Sequence, residues 1–89
     1  GEQQQVRGEI TDGLVLMTEA DFCVDLEGKE VMVYWGKTFK AWYRARVVRF
    51  DDRARKAFLY YPRDEYKESF DKKKFKSLSA GEKIKLIVE

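Results

Sequence analysis

The sequence predicts an all-β fold, a small antiparallel barrel of five short strands carrying an additional N-terminal segment. Three observations lead there. Apolar and polar residues alternate in short runs, the period of strands with one face turned inward. Turn signals separate those runs at close spacing, at Glu27-Gly28-Lys29, Gly36–Lys40, Asp51–Lys56 and Gly81-Glu82. The single proline, Pro62, follows an uncharged run, where a residue without an N–H must end the ladder.

The polar opening Gly1–Gln5 is expected to be a disordered terminus or an expression remnant, and residues 6–25 an extension packed on the barrel. Val6–Ile10 is a candidate strand, followed by the apolar run Leu14–Met17. Thr18 then offers an N-cap with acids behind it, and Phe22, Val24 and Leu26 finish a short helix or an irregular packing segment. The barrel proper is expected over residues 26–89. Val31, Val33 and Trp35 alternate with Met32 and Tyr34 in its first strand. Tyr43, Ala45 and Val47 alternate with Arg44, Arg46 and Val48 in a second, longer strand that runs on to Phe50. Ala57–Tyr61 carries no charge and is expected to be central. Arg63–Lys67 is a loop and Glu68–Phe70 a short fourth strand. Asp71 caps about one helical turn over Asp71–Phe75, and Ile84, Leu86 and Val88 mark the last strand.

At 89 residues this is one domain near the lower size for a self-supporting core. Its 44% hydrophobic and 15% aromatic content supplies large burial per residue. A single cysteine, Cys23, precludes an internal disulfide and favours a reducing compartment, the cytosol or nucleus. Acidic neighbours disfavour a thiolate there, so Cys23 is expected to be a small buried residue rather than a nucleophile. No apolar run is long enough to span a bilayer, and no membrane association is expected.

Catalysis finds little support. The chain has no histidine, no cysteine pair for a metal and no glycine-rich phosphate loop. The acid pairs Asp51-Asp52 and Asp64-Glu65 lie in loops beside arginines, as solvated charges do. The expectation is a non-enzyme without metal or cofactor.

The net charge of +2 conceals an asymmetry: residues 1–30 hold two basic and eight acidic side chains, residues 37–56 eight basic and two acidic. Arg44, Arg46, Arg49, Arg53, Arg55 and Lys56 on one hairpin are candidates for phosphate contacts with DNA or RNA, with Lys72, Lys73, Lys74 and Lys76 as a second cluster.

The aromatic pattern is more specific. Tyr34-Trp35, Trp42-Tyr43 and Tyr60-Tyr61 stand where strands meet loops. In an antiparallel meander the end of the first strand, the start of the second and the end of the third share a rim. Trp35, Tyr43 and Tyr61 therefore converge, with Tyr66 in the next loop and Asp64 or Glu65 to add negative charge. Walls of π faces suit a desolvated cation, most often a methylated ammonium.

With Val-Met-Val-Tyr-Trp, then Trp-Tyr-Arg-Ala-Arg-Val, an acidic hairpin and Ala-Phe-Leu-Tyr-Tyr, the chain resembles a Tudor domain of the chromatin-associated type over about Leu26–Leu78. It is also similar to the related chromo-barrel domains, through Tyr66 and Glu68-Ser69-Phe70. The resemblance implies an SH3-like barrel whose aromatic cage reads methylated lysine or arginine on a histone tail. It further implies a nuclear location and membership of a larger chromatin protein or complex. The cage would consist of Trp35, Tyr43 and Tyr61, with Tyr66 as a further wall and Asp64 at the acidic position. The chain departs from the family where many members carry Asp-Asp-Gly after the third strand; here Pro62-Arg63-Asp64-Glu65-Tyr66 stands instead. The alternatives are a DNA- or RNA-binding barrel using the 44–56 hairpin, and a protein-interaction barrel whose aromatics are core alone.

Overall fold

The computed structural model describes residues 13–37 and 39–88. The expected strand at Val6–Ile10 and the Gly1–Gln5 terminus lie outside them. Six strands form one antiparallel sheet: β1 (Leu14–Leu16), β2 (Glu30–Trp35), β3 (Ala41–Asp51), β4 (Lys56–Tyr61), β5 (Tyr66–Asp71) and β6 (Ile84–Ile87), with a helix α1 (Lys72–Ala80) between β5 and β6. The order across the sheet is β1-β6-β2-β3-β4-β5. The fold is all-β, as the alternation predicts. Five strands, β2–β6, make up its body, and the N-terminal segment adds β1 beside β6. No ladder joins β1 to β5 among the described residues, so the sheet curls without closing.

Inward-facing side chains follow the alternation. Val31 and Val33 of β2, Ala45 and Val47 of β3, and Ala57, Leu59 and Tyr61 of β4 are all buried. β4 lies between β3 and β5, the interior position its uncharged sequence predicts. One irregularity escapes strict alternation. The β3–β4 register steps from Val47↔Leu59 to Arg49↔Phe58, leaving Val48 unmatched. Such a bulge moves the following residues to the opposite face. It places Phe50 in the core and leaves Arg49 outside, its guanidinium 4.9 Å from the Phe58 ring centre.

Two four-residue loops turn the chain at Asp51↔Lys56 and Tyr61↔Tyr66. Each ends on a residue with left-handed backbone, Arg55 at φ 55° and Glu65 at φ 52°. Glycine adopts this conformation most readily. The turn after β4 is therefore made without the glycine of the Tudor pattern, and Tyr66 opens β5 rather than lying in a longer loop.

The remaining core comes from outside the sheet. Thr18–Leu26 forms two short 3₁₀ turns; Phe22 and Leu26 of this segment are buried, as is Met17 just before it, while Val24 faces solvent. Cys23 is half-buried rather than buried. Phe22 packs edge-on against Phe50 at 5.0 Å, and its ring lies tilted by 34° against Phe75 of α1 at 4.9 Å. The Ser79 hydroxyl donates to the Met17 carbonyl at 2.7 Å, tying helix and extension together.

The helix is nine residues, longer than the single turn expected, because Phe75 and Leu78 recur on one side and turn toward the core. Asp71 caps it as predicted, its carboxylate accepting from the Lys74 amide at 2.8 Å. Asp71→Ala should lower unfolding stability by about 1 kcal/mol, the usual worth of an N-cap. A thermal or urea melt measures this, and an unchanged midpoint would mean that water replaces the cap at no cost.

Candidate functional site: an aromatic concavity at one end of the sheet

Four chain segments meet at one end of the inner face. The register pairs Val33 with Tyr43 and Trp35 with Ala41 across β2 and β3. It pairs Tyr61 with Tyr66 at the matching end of β4 and β5. The ends named in the sequence therefore converge, and Trp35, Tyr43, Tyr61, Asp64 and Tyr66 line a single concavity together with Phe39. Its volume is about 360 Å³. That is small-ligand scale, with an almost wholly aromatic lining.

Trp35 is the hub. Its ring lies 5.8 Å from Phe39, 5.8 Å from Tyr43, 5.6 Å from Tyr61 and 5.5 Å from Tyr66. Tyr61 and Tyr66 meet it nearly perpendicular, at 82° and 80°. Phe39 and Tyr43 touch one another at 5.6 Å. The rings differ in depth. Tyr61 is only 1% exposed and belongs to the core, so it forms floor more than wall. Tyr66 at 45% and Phe39 at 53% form the mouth. Asp64 stands exposed at the rim, held in the β4–β5 turn by its amide donating to the Tyr61 carbonyl at 3.2 Å.

Beneath the floor lies a polar network. The Tyr61 hydroxyl donates to the carboxylate of Glu68 and accepts from the Trp35 indole N–H at 3.4 Å. Burial, reinforced by the neighbouring carboxylate, pushes the Tyr61 phenol well above its ordinary range, so it remains a donor. Glu68 is 14% exposed and also lies 3.9 Å from the Lys74 ammonium. A carboxylate bonded to the phenol adds electron density to the ring above it, and it fixes the orientation of Tyr61 under Trp35. Phe39 and Glu68 are the site residues that the sequence expectation lacked. Glu68 was accessible from parity, since it falls between Tyr66 and Phe70 of β5 directly opposite Leu59. Phe39 had no such signal, because it sits in a loop.

The candidate phosphate-contacting residues do not form one surface. Arg44 and Arg46 stand on the outer face of β3, where both pair with Glu30 and hold its carboxyl below the usual range through hydrogen bonds. Arg49 pairs with Asp51 at 3.1 Å. Hydrogen bonds from the Ala54 amide, above all, and the Arg53 amide lower the carboxyl pKa of Asp51. Arg55 turns inward: it pairs with Asp52 at 2.6 Å, donates to the Phe22 carbonyl at 3.2 Å and lies over the Phe50 ring at 5.5 Å. Arg53 and Lys56 have no carboxylate partner among the described residues. Three carboxylates thus answer four of the six cations, and one of those four is committed to packing.

No protein-family model, no curated protein and no solved structure matches this chain.

Proposed function

We propose that this domain is a non-catalytic reader that binds a methylated lysine or arginine side chain, as on a histone tail, in the aromatic concavity. One observation carries the proposal: Trp35 and the four rings gathered around it enclose a concavity whose one lining acid is Asp64. π faces attract a cation already stripped of water, and methylation lowers the cost of stripping it. An apolar ligand would not need an acid at the rim, and an unmethylated ammonium is better solvated in water. The resemblance of the strand sequences to Tudor domains supports the same reading, and with it a nuclear, chromatin-associated setting.

Each cation–π contact is worth roughly 0.5–2 kcal/mol. After ordering costs, three or four of them give micromolar-to-millimolar affinity. The domain would therefore work beside other domains or contacts in a larger protein. A second reading, DNA or RNA binding, draws support from Arg44, Arg46 and Arg49, which remain largely exposed on the face away from the concavity. Titration of ¹⁵N-labelled protein separates the two. Mono-, di- and trimethyl-lysine and dimethyl-arginine peptides should shift Trp35, Phe39, Tyr43 and Tyr66, and their unmethylated counterparts should not. A short duplex at two salt concentrations should leave those resonances alone. Shifts confined to β3 with duplex, and none with any methylated peptide, would sink the reader assignment in favour of the nucleic-acid one.

A further inference from the structure

A second groove lies against the back of the aromatic concavity, and Trp35 and Tyr66 line both. Its volume is about 730 Å³. Val33, Phe70 and Leu78 give it an apolar base, and Lys37, Lys74 and Lys83 bring three ammonium groups to its lining. The only carboxylate among its lining residues is Glu68, which is already engaged by the Tyr61 hydroxyl and faces Lys74. Lys37 and Lys83 have no carboxylate partner among the described residues. The two depressions are thus opposite in polarity: rings and Asp64 on one side of the Trp35–Tyr66 wall, ammonium groups on the other.

Building on the reader assignment, we propose that this groove holds an anionic side chain of the same peptide. The domain would then recognise a methylated cation placed close in sequence to an acidic or phosphorylated residue. The argument is charge complementarity joined to continuity. A cation seated at the rings leaves its own chain running past Tyr66 or Trp35, and the surface met on the far side of that wall repels cations and attracts anions. A purely basic peptide would meet the three lysines unfavourably. A peptide with a carboxylate or phosphate there would gain two or three exposed ion pairs. Exposed pairs are individually weak and screened by salt, so the expected gain is roughly three- to tenfold at low ionic strength.

The test uses one methyl-lysine peptide made with alanine, glutamate or phosphoserine at successive flanking positions. Binding is measured to the intact domain and to the double variant Lys37→Gln, Lys83→Gln. Both lysines are exposed, and neither lines the aromatic concavity. At one or more positions the anionic peptides should bind about three- to tenfold more tightly than the alanine peptide. Raising the salt should erode the gain, and the double variant should abolish it while binding the alanine peptide as before. A larger gain for phosphoserine than for glutamate would identify a phosphorylated ligand, and equal gains a carboxylate. Equal affinities across all three peptides, with methylation still required, overturn the groove assignment and leave the reader intact. A gain that survives in the double variant also overturns it, because the anion is then held elsewhere. If no methylated peptide binds, neutral or anionic, both proposals fall together.

Discussion

Alanine at Trp35 should take methylated-peptide binding below detection, a loss of about a hundredfold or more. Two effects add. The indole is the best cation–π surface among the rings, worth roughly 1–2 kcal/mol by itself. It also touches Phe39, Tyr43, Tyr61 and Tyr66, so its removal frees the mouth rings to close over the space or swing into solvent. Together these approach 3 kcal/mol, and each 1.4 kcal/mol is tenfold in affinity. Because Trp35 also packs against the core, a melt must accompany the binding curve. Tyr43→Ala and Tyr66→Ala separate the two effects, since Tyr66 at the mouth is 45% exposed and is not itself a buried core residue. Truncation of Tyr61 is a poor probe by comparison, because that ring is buried and hydrogen-bonded. A folded Trp35→Ala protein that bound methylated peptide undiminished would show that the rings are architecture.

The strands and the convergence of the rings were legible because both follow from parity. Period-two alternation assigns Val31, Val33, Tyr43, Ala45 and Val47 to one face, and antiparallel pairing alone brings the ends of β2 and β4 to the start of β3 and β5. What parity cannot carry is a change in its own phase. The bulge at Val48 depends on how tightly β3 must bend, although the adjacent Val47-Val48 pair breaks the alternation visibly enough to mark the place. Depth was equally out of reach. Tyr43, Tyr61 and Tyr66 are the same residue type at similar strand positions, yet Tyr61 is core and Tyr66 is mouth. That difference arises because β4 is flanked on both sides, whereas β5 is an edge. Charge was the least legible. A run of arginines looks like a binding strip in sequence, but each cation's role depends on a carboxylate distant along the chain, such as Glu30 beside Arg44 and Arg46, or on a ring such as Phe22 beneath Arg55.

The N-terminal extension and α1 depend on one another, and Phe75→Ala should reveal it with a large stability loss. Phe75 is 0% exposed and is the only fully buried side chain of α1 among the described residues. Its truncation leaves a cavity beneath the helix that neither α1 nor the 3₁₀ turns can fill without breaking their caps. Phe→Ala in a packed core costs about 3–5 kcal/mol. In a domain this small, that is a large part of a total of roughly 5–10 kcal/mol, and it corresponds to a fall in Tm of about 15–25 °C. Phe22→Ala should cost a similar amount from the other side of the same contact. The double variant should then lose less than the sum, because the two rings meet at 4.9 Å and the second truncation enlarges a cavity the first has already opened. Strict additivity would mean that Phe22 seats on Phe50 alone, leaving the extension and the helix as independent coverings of the sheet. Below the lowered Tm, Phe75→Ala should still bind methylated peptide, since no helix residue lines the aromatic concavity. Its preference for a flanking anion should weaken, because Lys74 and Leu78 of the loosened helix line the second groove. Stability, cage binding and anion preference would thus respond differently to one substitution.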